Sequence, residues 1–275
     1  MNRLPLQKRV QILGLLTEGN SLRAASRLAD VSINTVTKLL VDVGAACELY
    51  QLEAIKNVPA KRVQCDEIWS FVGAKESNVP PNRKGELGRG DVYTWVAIDA
   101  DSKLVISWLV GKRDSYHAKI FMQDVSARLS NRVQLSTDGH KAYLVAVERA
   151  FGTEVDYAMI QKLYGGPTNV EAHRYSPGKC IGTIKGTVTG TPDEAHISTS
   201  YVERQNLTMR MQMRRFTRLT NAFSKKLENH AYAVGLHYMF YNFARIHKTL
   251  RVTPAMQAGL TDHVWSLEEI ARLAE

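Results

Sequence analysis

Apolar residues recur at helical spacing near the N-terminus, at Val10, Ile12, Leu13, Leu15 and Leu16, and predict a short helix over residues 9–16. Glu18-Gly19-Asn20 reads as its stop. Ser21 and Ser32 stand at cap positions for helices over 22–28 and 33–43, with a tight turn at Asp30-Val31 between them and Gly44 as terminator. Three short helices with a tight turn before the last predict a helix-turn-helix. Ser32, Asn34, Thr35, Thr37 and Lys38 on the third helix are small, polar or basic, which suits an outer face that enters a major groove. A plain three-helix bundle with a solvated face gives the same pattern.

Residues 47–57 read as a linking helix, and Pro59 marks a boundary. Beyond it the spacing changes to that of strands: 61–72, then a hairpin of 91–99 and 103–110 around Asp101-Ser102. An amphipathic helix over 115–129, a strand over 132–137, a helix over 141–151 and a strand over 155–162 follow. Residues 164–200 hold six Gly and three Pro, an insertion of the kind that is usually functional or mobile. Helices are predicted over 201–218 and 222–245; the Tyr, Phe and His stripe of the second reads as core. The order is mixed α/β. The expected division is a helix-turn-helix domain over 1–46, a linker over 47–60, an α/β domain over 61–250 and a tail over 251–275.

Composition sharpens this picture in two places. At 44% hydrophobic and 23% charged, the 275 residues suit a packed core rather than disorder. The net charge of +9 favours an anionic partner, most commonly nucleic acid. The excess is local: residues 201–251 carry ten Lys or Arg against two Glu. Three cysteines, Cys47, Cys65 and Cys180, with no CxxC spacing, speak against a disulfide framework or zinc knuckle and fit a reducing cytoplasm. The N-terminal MNRLPLQKRV lacks the apolar core of a signal peptide. No apolar run reaches about 18 residues, so no membrane span is expected.

Three carboxylates carry the candidate chemistry. Asp66 lies mid-strand among Val63, Cys65, Ile68, Trp69, Phe71 and Val72, where a charge is costly without a partner or a metal. Its neighbour Glu67 is expected on the opposite face, because strand side chains alternate. Asp138 ends a strand in STDGH, with Gly139 allowing a sharp turn, although Asp beside Gly is also an ordinary turn. Glu203 opens a helix whose other charges, Arg204, Arg210, Arg214, Arg215 and Arg218, are all basic. Arg210, seven residues on, shares its face. A surface Glu at a helix N-terminus would read the same way. Magnesium prefers oxygen ligands in near-octahedral array. Two such ions about 3.5–4 Å apart activate an attacking oxygen and stabilise a leaving one.

CDEIWSF around Asp66, TDGHKAY around Asp138, TSYVERQN around Glu203 with its downstream RMQMRRFTRLTNAFSKK, and YNFARIHKTLRVTPAM together resemble the DDE transposases of bacterial insertion sequences, most closely the IS1 family. The resemblance spans residues 9–256. It implies an RNase H-like catalytic domain, whose element order the strands and helices above match. It further implies a catalytic and metal-binding triad of Asp66, Asp138 and Glu203, two Mg²⁺ or Mn²⁺ ions, and double-stranded DNA as substrate, both terminal inverted repeats and target. A homodimer or higher homo-oligomer in the bacterial cytoplasm, associated with the nucleoid, is implied as well. The cysteine-bearing zinc element with which such transposases often begin is not seen, so end recognition is expected to rest on the helix-turn-helix. Asp66 and Asp138 would share one ion and Glu203 would help hold the other. Ser32, Asn34, Thr35 and Lys38 would read DNA. Arg204, Arg210, Arg214, Arg215, Arg218, Lys225, Lys226, His247 and Lys248 would contact it, and His140 and Tyr143 would shape the site or simply pack beside it. The alternatives are a catalytically silent DNA-binding regulator derived from a transposase, or an RNase H-like nuclease or resolvase that cuts without joining.

Overall fold

Alternating apolar positions in the middle of the chain form a six-stranded mixed sheet. The computed structural model describes residues 4–86, 88–165, 179–217 and 221–275. The strands are β1 (Arg62–Val72), β2 (Gly90–Asp99), β3 (Val105–Gly111), β4 (Val133–Asp138), β5 (Val155–Gly165) and β6 (Lys179–Thr189), ordered β3-β2-β1-β4-β5-β6. β2 is antiparallel to both β1 and β3, β4 is parallel to both β1 and β5, and β6 closes the far edge antiparallel to β5. The mixed α/β class expected from the sequence is what the chain adopts.

Helices flank the sheet, beginning with α1 (Leu6–Thr17), α2 (Leu22–Leu28) and α3 (Ile33–Ala54). The Ser21 and Ser32 side chains cap α2 and α3, accepting from the N–H groups of Ala24 and Thr35. Asp30 turns the chain between them at a φ of 51°. Gly44 does not end α3, which runs unbroken past it for 22 residues. Its reason for being glycine lies across the interface with α7 (Leu227–Met239): a Cβ there would sit 2.4 Å from the Tyr232 carbonyl oxygen. Gly235 of α7 makes a looser approach from the other side, its would-be Cβ 3.1 Å from the Gly44 carbonyl oxygen. The Gln51 amide, fully buried, donates to Gly235 O at 3.1 Å and holds the crossing.

One sheet face is covered by α4 (Ser115–Arg128) and α5 (Ala142–Phe151), with Trp95 of β2 packed on Phe121 and Tyr143. The other is covered by α6 (Ser200–Gln212) and α7. A single hydrophobic cluster runs from Ile12 and Leu13 of α1 through the sheet to Ile270 and Ala271. Residues 251–275, expected as a tail, form α8 (Pro254–Gln257) and α9 (Leu267–Arg272), and α9 packs against α1. Arg9, 6% exposed, donates to Ala271 O and to Glu275. No described helix is long and apolar enough to cross a membrane.

Three further boundaries differ from expectation. The insertion over 164–200 contains β6, whose Lys-Cys-Ile-Gly-Thr-Ile pattern is broken by glycines; residues 166–178 lie outside the described residues. The helix expected over 201–218 ends at Gln212, because Met213 turns extended (φ −115°, ψ 106°) and is buried with Phe216. The helix expected over 222–245 starts only at Leu227, since Ser224 bridges to Val72 and Phe223 packs on Phe71. It passes into a π-helical turn, Phe240–Ala244, which aims the buried Asn242 amide at both backbone groups of Val105.

Gly44→Ala should lower unfolding stability by about 1–3 kcal/mol in a urea melt, because the new methyl meets backbone that has no side-chain freedom to yield. Gly186→Ala in β6, where a Cβ meets nothing within 4 Å, should change the midpoint little. Equal midpoints for Gly44→Ala and the unaltered protein would refute the close crossing.

Candidate active site

The β1–β4 pairing ends one residue short of the chemistry. The last parallel partners are Cys65 and Thr137. One step further, the same register sets Asp66 alongside Asp138, at the roughly 4.8 Å spacing of adjacent strands. β4 stops at Asp138, so the space beyond it is open. Gly139 and the N–H of His140, which donates to Asp138 Oδ1 at 3.0 Å, turn the chain away and leave the carboxylate facing that opening.

Glu203 reaches the same opening from α6. The first turn of that helix is docked by β1: Gln64 Oε1, buried in the sheet face, accepts the N–H groups of Tyr201 (2.8 Å) and Val202 (3.2 Å). Those are two of the four orphan donors every helix start must satisfy, so Gln64 fixes where α6 begins. One turn later Asn206 Nδ2 donates to Asp66 Oδ2 at 2.9 Å. Asp66, Asp138, Glu203 and Arg210 line one cavity of about 460 Å³, with Gly139, Gln161, Lys162, Thr199 and Asn206.

Within that cavity the carboxylates are not equally close. The ligand oxygens of Asp66, Glu67 and Asp138 all lie within 4.8 Å of one another. Glu203 does not join that group. Lys162 of β5 donates to both its oxygens, and the Thr199 hydroxyl donates to Oε1 at 2.6 Å. Glu67 is the departure from expectation. Strand alternation does send it to the α5 side, opposite Asp66, but its longer side chain comes round the open end of β4. Arg113, just past β3, bridges it to Asp138, with Nε 3.2 Å from Glu67 Oε2 and a terminal nitrogen 3.2 Å from Asp138 Oδ2.

Crowding shows in the acidities. Burial, the Asp138 charge and the Glu203 charge push the Asp66 carboxyl up to about 6, against the partial relief of its hydrogen bonds. Burial and Asp138 push Glu67 to about 7, with Arg113 and the Tyr143 hydroxyl pulling back. Only oxygen donors converge, and like charges repel without a counter-charge between them; such a set suits a hard divalent cation such as Mg²⁺ or Mn²⁺. Burial and Arg113 lower the His140 imidazole. Its ring packs on Trp95 and Tyr143, and none of the three lines the cavity.

The remaining candidates spread over the surface. Ser32 and Thr35 bond to each other at 2.8 Å, Lys38 pairs with Asp42, and Asn34 is exposed. Arg204, Arg214, Lys225, Lys226 and Lys248 are exposed, and His247 bonds to Thr249. Arg218 lies outside the described residues. Arg215 turns inward, donating to Ser224 Oγ and Asn229 O, and burial lowers its guanidinium to about 10. Sequence reasoning did not find Arg113, Lys162, Gln64 or Asn206 as site residues, since each acts through a partner far along the chain.

No protein-family model matches the chain, and no curated protein matches it. Similar solved structures include a piggyBac transposase synaptic complex with hairpin DNA, at 13% identity and a TM-score of 0.34, over 82% of this chain and 54% of that one. Two others are Mos1 transposase complexes. The paired-end complex with the left transposon end is 16% identical with a TM-score of 0.22, over 54% of this chain and 58% of that one. The strand transfer complex is 14% identical with a TM-score of 0.25, over 87% and 76%. The chain thus spans little more than half the length of the first two. TM-scores this low fall short of a shared fold.

Asp66→Asn should stabilise the cation-free protein at pH 8 by on the order of 2 kcal/mol, because it removes a desolvated like charge. Asp66 is a weaker acid in the folded state, so its charge costs no stability below about pH 4 and the penalty grows in as pH rises through about 6. The gain from the substitution should therefore fade in thermal melts as pH drops from 8 towards 4. A gain that is absent at pH 8, or constant with pH, would mean the charges are not crowded.

Proposed function

We propose that the protein is a DNA transposase of the DDE type, with Asp66, Asp138 and Glu203 as its catalytic carboxylates. It hydrolyses a phosphodiester at an element end and joins the freed 3′-hydroxyl to target DNA by transesterification. The observation that carries this reading is the single cavity shared by acids from β1, β4 and α6 with Arg210. Acids 137 residues apart, from Asp66 to Glu203, have no reason to converge in a purely structural protein, where their repulsion costs stability. The strand order β3-β2-β1-β4-β5, antiparallel on one side of β1 and parallel on the other, supports the RNase H-like fold. The basic surplus of residues 201–251 beside the cavity supports a polyanionic substrate.

The all-oxygen donors fit Mg²⁺ or Mn²⁺, and the Glu67 carboxylate, which completes only the hydrogen bond to Arg113, has lone pairs to offer one. Asp66, Asp138 and Glu203 would hold the ions, which when bound supply Lewis acidity to the attacking and leaving oxygens of a phosphodiester. Asn206 orients the Asp66 carboxylate from α6, and the His140 N–H orients that of Asp138. Arg210 faces the cavity at the position to take a backbone phosphate. Arg204, Arg214, Lys225, Lys226 and Lys248 would steady flanking phosphates, and the start of α3 with Ser32, Asn34, Thr35 and Lys38 would read the major groove. Assembly as a homodimer or larger homo-oligomer on paired ends belongs to the same proposal.

Asp66→Asn, Asp138→Asn and Glu203→Gln should each cut metal-dependent cleavage of labelled DNA carrying terminal inverted repeats by at least about a hundredfold. Retention of that DNA in gel-shift assays should be undiminished. Cleavage that survives any of these substitutions removes the residue from the mechanism, and a wild-type protein that binds but never cuts would favour a silent regulator.

A further inference from the structure

Glu67 and Glu203 stand in opposite states. Both oxygens of Glu203 are taken, by Lys162 and by the Thr199 hydroxyl. Glu67 has one oxygen on Arg113; its side chain is 1% exposed, and Oε1 completes no hydrogen bond, although the Tyr143 hydroxyl pulls on the carboxyl. The buried Tyr143 hydroxyl on its own face of the sheet is also without a completed hydrogen bond. A buried carboxylate oxygen is rarely left so, because nothing replaces the water it gave up. Here Glu67 lines the cavity, and one of its carboxylate oxygens lies within 4.8 Å of ligand oxygens of Asp66 and Asp138.

We propose that Glu67 is a metal ligand. Before DNA arrives, the protein binds its first Mg²⁺ or Mn²⁺ on Asp66, Glu67 and Asp138, while Glu203 stays on Lys162. Adjacent strand residues normally face apart, and two things let this pair converge: β4 ends at Asp138, and glutamate is one methylene longer than aspartate. Arg113 is then the counter-charge of the cation-free state. It spans Glu67 and Asp138, and an incoming dication competes with it for the same oxygens. The chemical identity of the cation rests on the transposase reading; the geometry of the three oxygens does not.

The test is Mn²⁺ titration of the full-length, DNA-free protein, followed by electron paramagnetic resonance of free Mn²⁺. Glu67→Gln, equal in size and uncharged, should weaken binding at least tenfold. Arg113→Gln should tighten it several-fold, because it removes the competitor and spares the ligands. The opposite signs separate ligation from scaffolding: were Glu67 present only to anchor Arg113, both substitutions would weaken binding alike, and the proposal would fall. It falls equally if Glu67→Gln binds Mn²⁺ within twofold of the unaltered protein. Should Glu67→Gln not fold, as judged by near-ultraviolet circular dichroism, Arg113→Gln decides alone, and unchanged or weakened binding overturns the site. Cleavage of inverted-repeat DNA is scored separately. Mn²⁺ binding that depends on Glu67 in a protein that never cuts DNA would sink the transposase reading and leave this site standing. Cutting by a protein whose Mn²⁺ affinity ignores Glu67 would do the reverse.

Discussion

Everything in this molecule answers to the repulsion among carboxylates gathered where the β1–β4 ladder stops. Asp66 and Asp138 are brought side by side by strand register, which a protein cannot vary without losing the sheet. Glu67 is added from beneath and Glu203 from above. Left alone these charges would push the strands apart or take up protons, and the weakened acidities of Asp66 and Glu67 record the second tendency. The fold meets the first with cationic side chains: Arg113 across Glu67 and Asp138, and Lys162 on Glu203. Neither cation is buried enough to quench the cluster, and both come from elements next to the opening.

The scaffold that resists this repulsion is wider than the sheet. α6 is pinned to β1 by Gln64 at its first turn and by Asn206 a turn later, so Glu203 cannot drift without breaking hydrogen bonds at both. α7 lies beside α6 and is locked in turn by the Gly44–Gly235 crossing with α3. The buried chain of Ser70, His230, Ser224 and Arg215 ties β1 to the segment between α6 and α7. α1 closes the loop by packing on α9. The N-terminal helices thereby share one core with the sheet, and α3 runs through position 46 without a break.

How much of this was legible depended on whether the signal was local. The strands bearing Asp66 and Asp138 show because their apolar runs have β spacing, and the caps Ser21 and Ser32 because capping is decided within three residues. Gly44 misled because a glycine that ends a helix and a glycine that admits a neighbouring backbone look alike in sequence; only Tyr232, 188 residues away, tells them apart. β6 was lost among its glycines. Glu67 faces away from Asp66 as alternation requires, but alternation fixes the direction of Cβ and not where a longer side chain ends once the neighbouring strand has stopped. Arg113 and Lys162 carry no motif, since their partners are set by tertiary structure alone.

The basic residues show why net charge is a poor guide to a surface. Of the surplus between residues 201 and 251, Arg215 is spent inside the fold, its guanidinium donating to Ser224 and Asn229. Breaking such a buried contact costs stability, because the charge cannot be rehydrated in place. Arg204, Arg214, Lys225, Lys226 and Lys248 keep their charges in water. Charges of that second kind can release counterions from a polyanion, so they contribute to the salt dependence of any such binding and Arg215 does not. The same division holds at the cavity. A cation that enters among Asp66, Glu67 and Asp138 frees Arg113 from two carboxylates at once. An internal counter-charge then becomes one able to meet a phosphate, at the moment the carboxylates lose their need of it.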